Sequence, residues 1–177
     1  MKTVLIPTLT AAKNVDIYNA SFISTTDLDN GSVFGKGELT ESGSQVYKVT
    51  TPATGSLSGL WMACSPEDTI ITDAAGNQYK PGINNPQTFT NVANVVFSGF
   101  KPQVGDLILM TADGLDGEIG DNTYVVAENG SNKLKPATAA ITGLSFKLVE
   151  TSYISIGGLN AIGSQRVPAY LLECVAN

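Results

Sequence analysis

The stretch 105–136, GDLILMTADGLDGEIGDNTYVVAENGSNKLKP, constrains the fold more than any other part of the chain. Three apolar runs alternate in it with two turn clusters, one rich in glycine and aspartate and one at Asn129-Gly130. Short runs of β-branched and aromatic residues bounded by Gly, Asn and Pro are typical of antiparallel strands. The stretch therefore predicts strand, loop, strand, tight turn and strand, with Pro136 ending the last pairing.

The same alternation of short apolar runs and turn residues recurs along the whole chain. Further strands are predicted at 15–25, 45–51, 57–64, 144–150, 153–156 and 167–176. In 45–51, Tyr47 and Val49 should share one face, and in 144–150 the residues Leu144, Phe146 and Leu148 should face the core. No segment keeps a 3.6-residue apolar period. The sequence thus predicts an all-β fold, a barrel- or sandwich-like core of short antiparallel strands.

The predicted domain organisation is one β domain with an arm and an excursion. Residues 1–13 indicate an N-terminal arm or edge strand, because the run Thr3-Val4-Leu5-Ile6 ends at Pro7. Such an arm docks either on its own domain, which is the favoured reading, or on a partner. Residues 14–177 form the domain, with a long, proline-rich, irregular loop at about 65–102. That excursion is either an interface loop or a surface insertion.

The charge content excludes several classes of partner. Charged residues make up only 15% of the chain, against about 25% in typical soluble domains, and the net charge is −6. Arg166 is the only arginine and the lysines are scattered, so no basic patch for nucleic acid is expected. No run approaches the ~18 apolar residues of a membrane span. The start MKTVLIPTLT is broken too early by Pro7 for a signal peptide, which predicts synthesis in the cytoplasm.

Catalytic chemistry finds little support in the residue types present. The chain has no histidine, which removes the commonest general base and metal ligand. The carboxylates of one loop offer either a glycosidase pair or, with Asn122, calcium ligands; they belong to Asp113, Asp116, Glu118 and Asp121. The spacing DGLDGEIGDN does not fit an EF-hand loop, and Gly and Asp suit any β connection. A plain loop is favoured, and no catalytic, cofactor-binding or metal-binding residue is predicted.

The cysteines and the tryptophan each leave two readings open. Cys64 and Cys174 both lie in apolar runs, so they are either two buried thiols or a disulfide. Trp61 is predicted to be a core anchor, and the alternative is a ligand-stacking role. As exposed aromatics, Trp61 or Tyr79 would be the stacking platforms of a carbohydrate-binding or adhesin-like β module.

Two stretches resemble head-decoration (capsid cement, or auxiliary capsid) proteins of tailed bacteriophages. The first, 30–68, is NGSVFGKGELTESGSQVYKVTTPATGSLSGLWMACSPED. It has an Asn-Gly opening, Gly-Glu-Leu before a strand with a Tyr-Lys pair, a Pro-Ala step, and a Leu-Trp run closing on Ser-Pro-Glu. The second is GDLILMTADGL followed by YVVAENGSNKLKP, a strand, a loop and a lysine-bearing hairpin. The segment 69–102 departs from the resemblance.

The resemblance implies a structural virion protein that is not an enzyme. Its expected place is the outer surface of the capsid. Its expected partners are the major capsid protein, whose subunit contacts it would stabilise, and in some cases its own copies. No individual binding residue carries over. The alternatives are another virion component, such as a head-fibre or tail protein, or the carbohydrate-binding module described above.

Overall fold

The computed structural model describes residues 1–67, 71–72, 78–79, 86–157 and 164–177. This part of the chain is all-β, as the sequence predicts, and its helical residues are confined to 3₁₀ turns. The strands are β1 (Leu5–Leu9), β2 (Asn19–Ile23), β3 (Val33–Leu39), β4 (Val46–Thr50), β5 (Trp61–Ala63), β6 (Ile71–Thr72), β7 (Gln78–Tyr79), β8 (Val96–Phe100), β9 (Leu107–Thr111), β10 (Tyr124–Ala127), β11 (Leu134–Ala137), β12 (Ser145–Gly157) and β13 (Ser164–Ala176). The 3₁₀ turns are Ala11–Lys13, Asp16–Tyr18, Pro86–Thr88 and Ala112–Gly114.

Six of these strands form an antiparallel sheet in the order β1-β9-β13-β12-β10-β11. The N-terminal strand β1 is one edge of it and pairs with β9, where Leu5 lies opposite Met110. The N-terminal segment therefore docks on its own chain. At the other edge, β11 pairs with β10 in the hairpin that the Asn129-Gly130 turn was expected to make. Gly130 has a φ of +77°, a backbone conformation that glycine adopts without strain.

Five other strands close into a barrel in the order β2-β4-β3-β5-β8. One pair, β2 with β4, is parallel. A barrel this narrow has to be filled by its own side chains. Phe22 lies at the centre, edge-to-face with Phe34 at 4.8 Å and with Trp61 at 5.1 Å between ring centroids. Tyr47 and Val49 pack against this cluster from the same face of β4, as their alternation predicts.

The main core lies between the barrel and the six-stranded sheet. Fully or almost fully buried side chains come from both units; they include Val33, Leu60, Met62 and Phe100 from the barrel strands and their connections, and Ile108, Met110, Val125, Phe146 and Leu172 from the sheet. Because one cluster joins both sheets, the described residues behave as one packed unit. Leu144 and Phe146 are buried in it and Leu148 packs against it, as predicted.

The hairpin of β12 and β13 extends well beyond the rest of the sheet. Each strand has 13 residues. Pairing with β10 covers only Ser145, Phe146 and Lys147 of β12, and pairing with β9 covers β13 only from Ala169 to Glu173. The remainder is a two-stranded ribbon. One of its faces is buried in a third cluster, where Ile154 and Val167 meet Val4.

Several sequence predictions are wrong in detail. The predicted strand 15–25 begins as the 3₁₀ turn Asp16–Tyr18, because the chain turns here from the sheet into the barrel. Pro136 does not end the pairing but lies inside β11 opposite Val125, which an edge strand tolerates. The predicted strands 144–150 and 153–156 are one strand, joined through an irregularity between Leu148 and Glu150. The strand predicted at 57–64 is reduced to Trp61–Ala63.

The predicted excursion at 65–102 is shorter than expected at its C-terminal end. Val96–Phe100 is a barrel strand that pairs with both β2 and β5. Much of the remainder of the excursion lies outside the described residues, so the choice between an interface loop and a surface insertion stays a prediction. The two short strands Ile71–Thr72 and Gln78–Tyr79 pair with each other in it.

Candidate functional site: a groove beside the barrel and its apolar rim

A groove of about 850 Å³ lies between the N-terminal segment and the outer wall of the barrel. Its lining comes from four stretches that are distant in sequence: residues 7–21, 36–47, Cys64 and 98–100. Two lysines and one aspartate line it, so the groove is locally cationic in a chain whose net charge is −6.

The N-terminal wall of the groove is fixed by side-chain hydrogen bonds to the backbone. Asp106 is buried and its carboxylate accepts the N–H of Ala11 at 2.8 Å and the N–H of Gln103 at 2.8 Å. Asn19 Nδ2 donates to the carbonyl of Ala12 at 2.6 Å. Because these bonds reach the turn 11–13 from β9 and from β2, they tie the N-terminal segment to both the sheet and the barrel.

The second lysine of the groove, Lys36, lies over aromatic rings. Its Nζ is 3.6 Å from the ring centroid of Tyr47 and 5.2 Å from that of Trp61. An ammonium on the face of an aromatic ring is attracted by the ring quadrupole. Lys36 makes no ion pair with any described residue. Its three donors are therefore free to bind an acceptor that enters the groove.

Cys64 lines the groove as a protonated thiol. Burial raises its pKa to about 11, the nearby carboxylate of Glu67 adds to the rise, and Lys13 opposes it. Because the thiolate and not the thiol is the nucleophile, Cys64 is unsuited to nucleophilic catalysis near neutral pH. Cys174 is likewise a free thiol, buried in the main core, so the two cysteines are not joined.

An apolar rim borders the groove. We use this name for Ile6, Leu9, Val15 and Ile17, all of which are exposed. Ile17 is the most exposed of them, at 75% of its surface. Lys13 folds this segment back, since its Nζ donates to the carbonyls of Pro7 at 2.6 Å and Thr8 at 3.2 Å. Large apolar side chains grouped on one exposed segment are typical of a surface that contacts another macromolecule.

The acidic loop 113–122 does not converge on a site. Asp113 pairs with the N-terminal ammonium at 3.2 Å, and Asp116, Glu118 and Asp121 are exposed. Asn122 donates within the loop to the carbonyl of Ile119 at 2.9 Å. In the described part of the chain, no group of three or more His, Cys, Asp and Glu side chains is placed to hold a metal ion.

Trp61 and Tyr47 offer no exposed ring face for stacking in this part of the structure. Trp61 is only 6% exposed and belongs to the barrel core, so it cannot be the stacking platform of a carbohydrate-binding module. Tyr47 faces the groove, but the ammonium of Lys36 covers its ring. The side chain of Tyr79 lies outside the described residues.

Sequence reasoning missed both the groove and the role of Asp106. No motif marks either, because the groove is assembled from residues up to 93 positions apart, such as Pro7 and Phe100. The only signal was weak: an aspartate directly after Gly105 and before an apolar run, which turn chemistry alone explains.

Comparison with known proteins does not add to this picture. No protein-family model, no curated protein and no solved structure matches the chain. Among the described residues, no helix is both long enough and apolar enough to cross a membrane.

Proposed function

We propose that this protein is a structural component of a tailed-phage virion, which decorates the outer surface of the capsid and stabilises contacts between major capsid protein subunits. The observation that carries the proposal is the apolar rim beside the groove. It adds to the resemblance of segments 30–68 and 105–136 to capsid decoration proteins. The low charge content suits a surface that is partly covered by neighbours.

Attachment in this proposal is based on buried area. Each half-exposed aliphatic side chain of the apolar rim would contribute about 1 kcal/mol when a capsid subunit covers it. The four together therefore contribute about 4 kcal/mol. This is no more than the lower estimate of the cost of association, about 4 kcal/mol. One rim alone binds weakly, and stable attachment requires further contacts and repetition over the shell.

The groove supplies the polar part of the same contact. Lys36 offers an ammonium whose donors are unused by described residues, and the field of the groove favours an acceptor of negative charge. A carboxylate of a capsid subunit is therefore the expected partner for Lys36. The exposed apolar residues next to it would exclude water from the pair.

The test of this proposal is to image the native particle and count copies. Particles purified from the lysate of cells that make the protein are examined by cryo-electron microscopy. Copies spread over the whole capsid, in a small multiple of the symmetry of the shell, would support decoration. Finding the protein only at one vertex, only on the tail, or not on particles would refute it.

A pair of matched variants then tests the apolar rim. Ile17→Asp places a charge on the rim, and Val95→Asp places the same charge on a valine that is 56% exposed at the other end of the β2–β8 pair. We expect Ile17→Asp to lower capsid occupancy and Val95→Asp to leave it unchanged. Equal occupancy for both variants would contradict the assignment of the rim as the contact surface.

A further inference from the structure

Three of the exposed strand edges are protected against pairing with another strand. An unprotected edge presents a row of free N–H and C=O groups, and proteins block such edges with proline, with lysine or arginine, or with a covering segment. The edge strand β1 carries Pro7, and Lys13 Nζ caps the carbonyls of Pro7 and Thr8. Neither of these two carbonyls is left to accept a hydrogen bond from a partner strand.

The opposite edge of the sheet, β11, is blocked in the same way. Pro136 lies within it and Lys135 beside it. The carbonyl of Leu134 is already bonded to the N–H of Asp116 at 2.8 Å. The third protected edge is the outer side of β13, where pairing with β9 ends at Ala169. The unpaired part beyond it carries Pro168 and the only arginine of the chain, Arg166.

The outer edge of β12 carries no such device. We call residues 151–156, TSYISI, the distal β12 edge. Pairing with β10 stops at Lys147, and the last backbone bond on this side joins Leu148 N to Thr123 O at 2.8 Å. Beyond it no described residue pairs with this side of β12. The distal β12 edge has no proline and no charge, and its residues favour strands.

Pro168 fixes which groups of the distal β12 edge face outwards. It lies opposite Tyr153 and has no N–H, so this pair falls where neighbouring strands exchange no hydrogen bond. Tyr153 then directs its N–H and C=O away from β13. Because the pattern alternates, Thr151 and Ser155 do the same. Their side chains share the exposed face of the ribbon, where the Arg166 guanidinium lies 4.2 Å from the ring centroid of Tyr153.

We propose that the distal β12 edge pairs antiparallel with the same edge of a second copy of this chain. A two-fold axis at Tyr153 places Tyr153 opposite its own counterpart and Thr151 opposite Ser155 of the partner. Three such pairs exchange about six backbone hydrogen bonds. The two copies join their ribbons into a four-stranded sheet, which is more stable than two separate two-stranded ribbons.

Charge and self-complementarity favour a second copy as the occupant. Two molecules of net charge −6 repel each other over most of their surfaces. The distal β12 edge is a neutral stretch, so it brings no like charges together. An isologous two-fold contact also uses the same patch twice, and here it sets tyrosine on tyrosine and threonine on serine, which are favourable cross-strand pairs.

The proposed register can be tested with two double variants that share one substitution. In T151E/S155E, each new glutamate faces a glutamate of the partner across the axis. In T151K/S155E, each lysine faces a glutamate. In both variants the glutamate at 155 lies opposite Arg166 of its own chain, so the monomer keeps a favourable charge pair. Far-UV circular dichroism and thermal unfolding of both variants confirm that the fold is kept.

The measurement is sedimentation equilibrium of the purified chain over a range of concentrations. We expect the unsubstituted protein to dimerise, T151E/S155E to dissociate with a dissociation constant raised about tenfold or more, and T151K/S155E to regain dimerisation. Amide hydrogen exchange should show protection of the Thr151, Tyr153 and Ser155 N–H groups that grows with concentration.

Three outcomes would overturn the proposal. They are an unsubstituted protein that stays monomeric at every concentration, a T151E/S155E variant that dimerises as well as the unsubstituted protein, and equal loss in both double variants. The capsid takes no part in this experiment. Failure of the dimer therefore leaves the decoration proposal standing, and failure of decoration leaves the dimer standing.

Discussion

Removal of the Asp106 carboxylate should destabilise the protein strongly, because two backbone groups depend on it. Asp106 is 4% exposed and accepts the N–H of Ala11 through Oδ1 and the N–H of Gln103 through Oδ2, each at 2.8 Å. Asp106→Ala leaves both N–H groups without their acceptor. Asp106→Asn keeps the shape and one side-chain oxygen, but it places an NH₂ against the other N–H.

The expected cost follows from the type of bond. A hydrogen bond to a charged group contributes about 1.5–3 kcal/mol to stability. Both acceptor bonds are partly buried, so water can reach the freed N–H groups and the lower end of that range applies to each. We expect Asp106→Ala to lower the free energy of unfolding by about 3 kcal/mol and Asp106→Asn by about 2 kcal/mol. A domain whose total stability is about 5–15 kcal/mol should feel either change.

Urea denaturation at neutral pH measures this loss. With a slope of about 2 kcal/mol per molar urea, 3 kcal/mol moves the midpoint by about 1.5 M. Asp121→Ala is the matched control, since Asp121 is exposed and makes no hydrogen bond to any described residue. Its free energy of unfolding should stay within about 0.5 kcal/mol of that of the unsubstituted protein. Hydrogen exchange should show loss of protection at the Ala11 amide in Asp106→Ala.

The reasoning would be refuted by an Asp106→Ala variant as stable as Asp121→Ala. In that case the carboxylate would not hold the N-terminal segment, and the wall of the groove would depend on β1 pairing alone. A large loss of stability with unchanged protection at Ala11 would also contradict it, because the loss would then arise elsewhere.

Two further predictions concern a glycine and the two thiols. Gly31 and Gly43 have similar φ values, +86° and +84°, but a Cβ at Gly31 would lie 2.9 Å from Met110 Sδ while a Cβ at Gly43 meets nothing within 4 Å. Gly43→Ala should lower the free energy of unfolding by about 1 kcal/mol through backbone strain, and Gly31→Ala by about 2–4 kcal/mol through strain and crowding. Thermal unfolding measures both losses, and equal losses would show that packing at Gly31 adds nothing. Burial raises the pKa of Cys64 to about 11 and that of Cys174 to about 12, so each thiol holds its proton more tightly when folded. Their contribution to the free energy of unfolding is fully present below about pH 9 and declines as the pH rises towards these values. The decline between pH 9 and 10 is about 2 kcal/mol for the two thiols together. The Cys64→Ala/Cys174→Ala variant should lack that part of the decline in alkaline urea titrations, and an unchanged decline would contradict the assignment.

Local patterns in the sequence were enough to predict the class of fold and several faces. Alternation over 45–51 correctly placed Tyr47 and Val49 on one face, and alternation over 144–150 correctly placed Phe146 towards the core. This works because the two-residue period of a strand is a property of neighbouring residues. The position of Trp61 in the core was predictable for a related reason, since apolar residues on both sides of it indicate burial on both faces.

Long-range arrangement could not be predicted from the same patterns. Closure of the barrel depends on β8 meeting both β2 and β5, and nothing local to 96–100 signals that it has two partners. The parallel pairing of β2 with β4 has no turn signature either. The groove could not be predicted either, because its lining residues Thr10 and Phe100 become neighbours only after the barrel closes. The role of Asp106 could not be predicted for the same reason: its acceptor role requires Ala11, which is 95 positions away.

The few cations of this chain are informative because of where they lie. Only 10 of 177 residues are Lys or Arg. Lys13 donates to carbonyls of the edge strand β1, Lys135 is next to Pro136 in the edge strand β11, and Arg166 lies two residues before Pro168 in β13. Cations placed for solubility alone would not favour edges over the rest of the surface. Their positions indicate instead that they protect these edges against unwanted strand pairing.

By the same argument, the two surfaces whose own residues carry no charge, the apolar rim and the distal β12 edge, are the ones proposed to make contacts. The apolar rim includes Ile6 and Leu9 of β1. The distal β12 edge belongs to a strand three positions further across the sheet, about 14 Å away at the usual strand spacing. The two proposed contacts, one with a capsid subunit and one with a second copy, would therefore use separate surfaces. Because the surfaces are separate, Ile17→Asp should reduce capsid occupancy without changing dimerisation in solution. T151E/S155E should weaken dimerisation in solution without changing capsid occupancy. If either variant impaired both properties to the same extent, the two surfaces would have to be one.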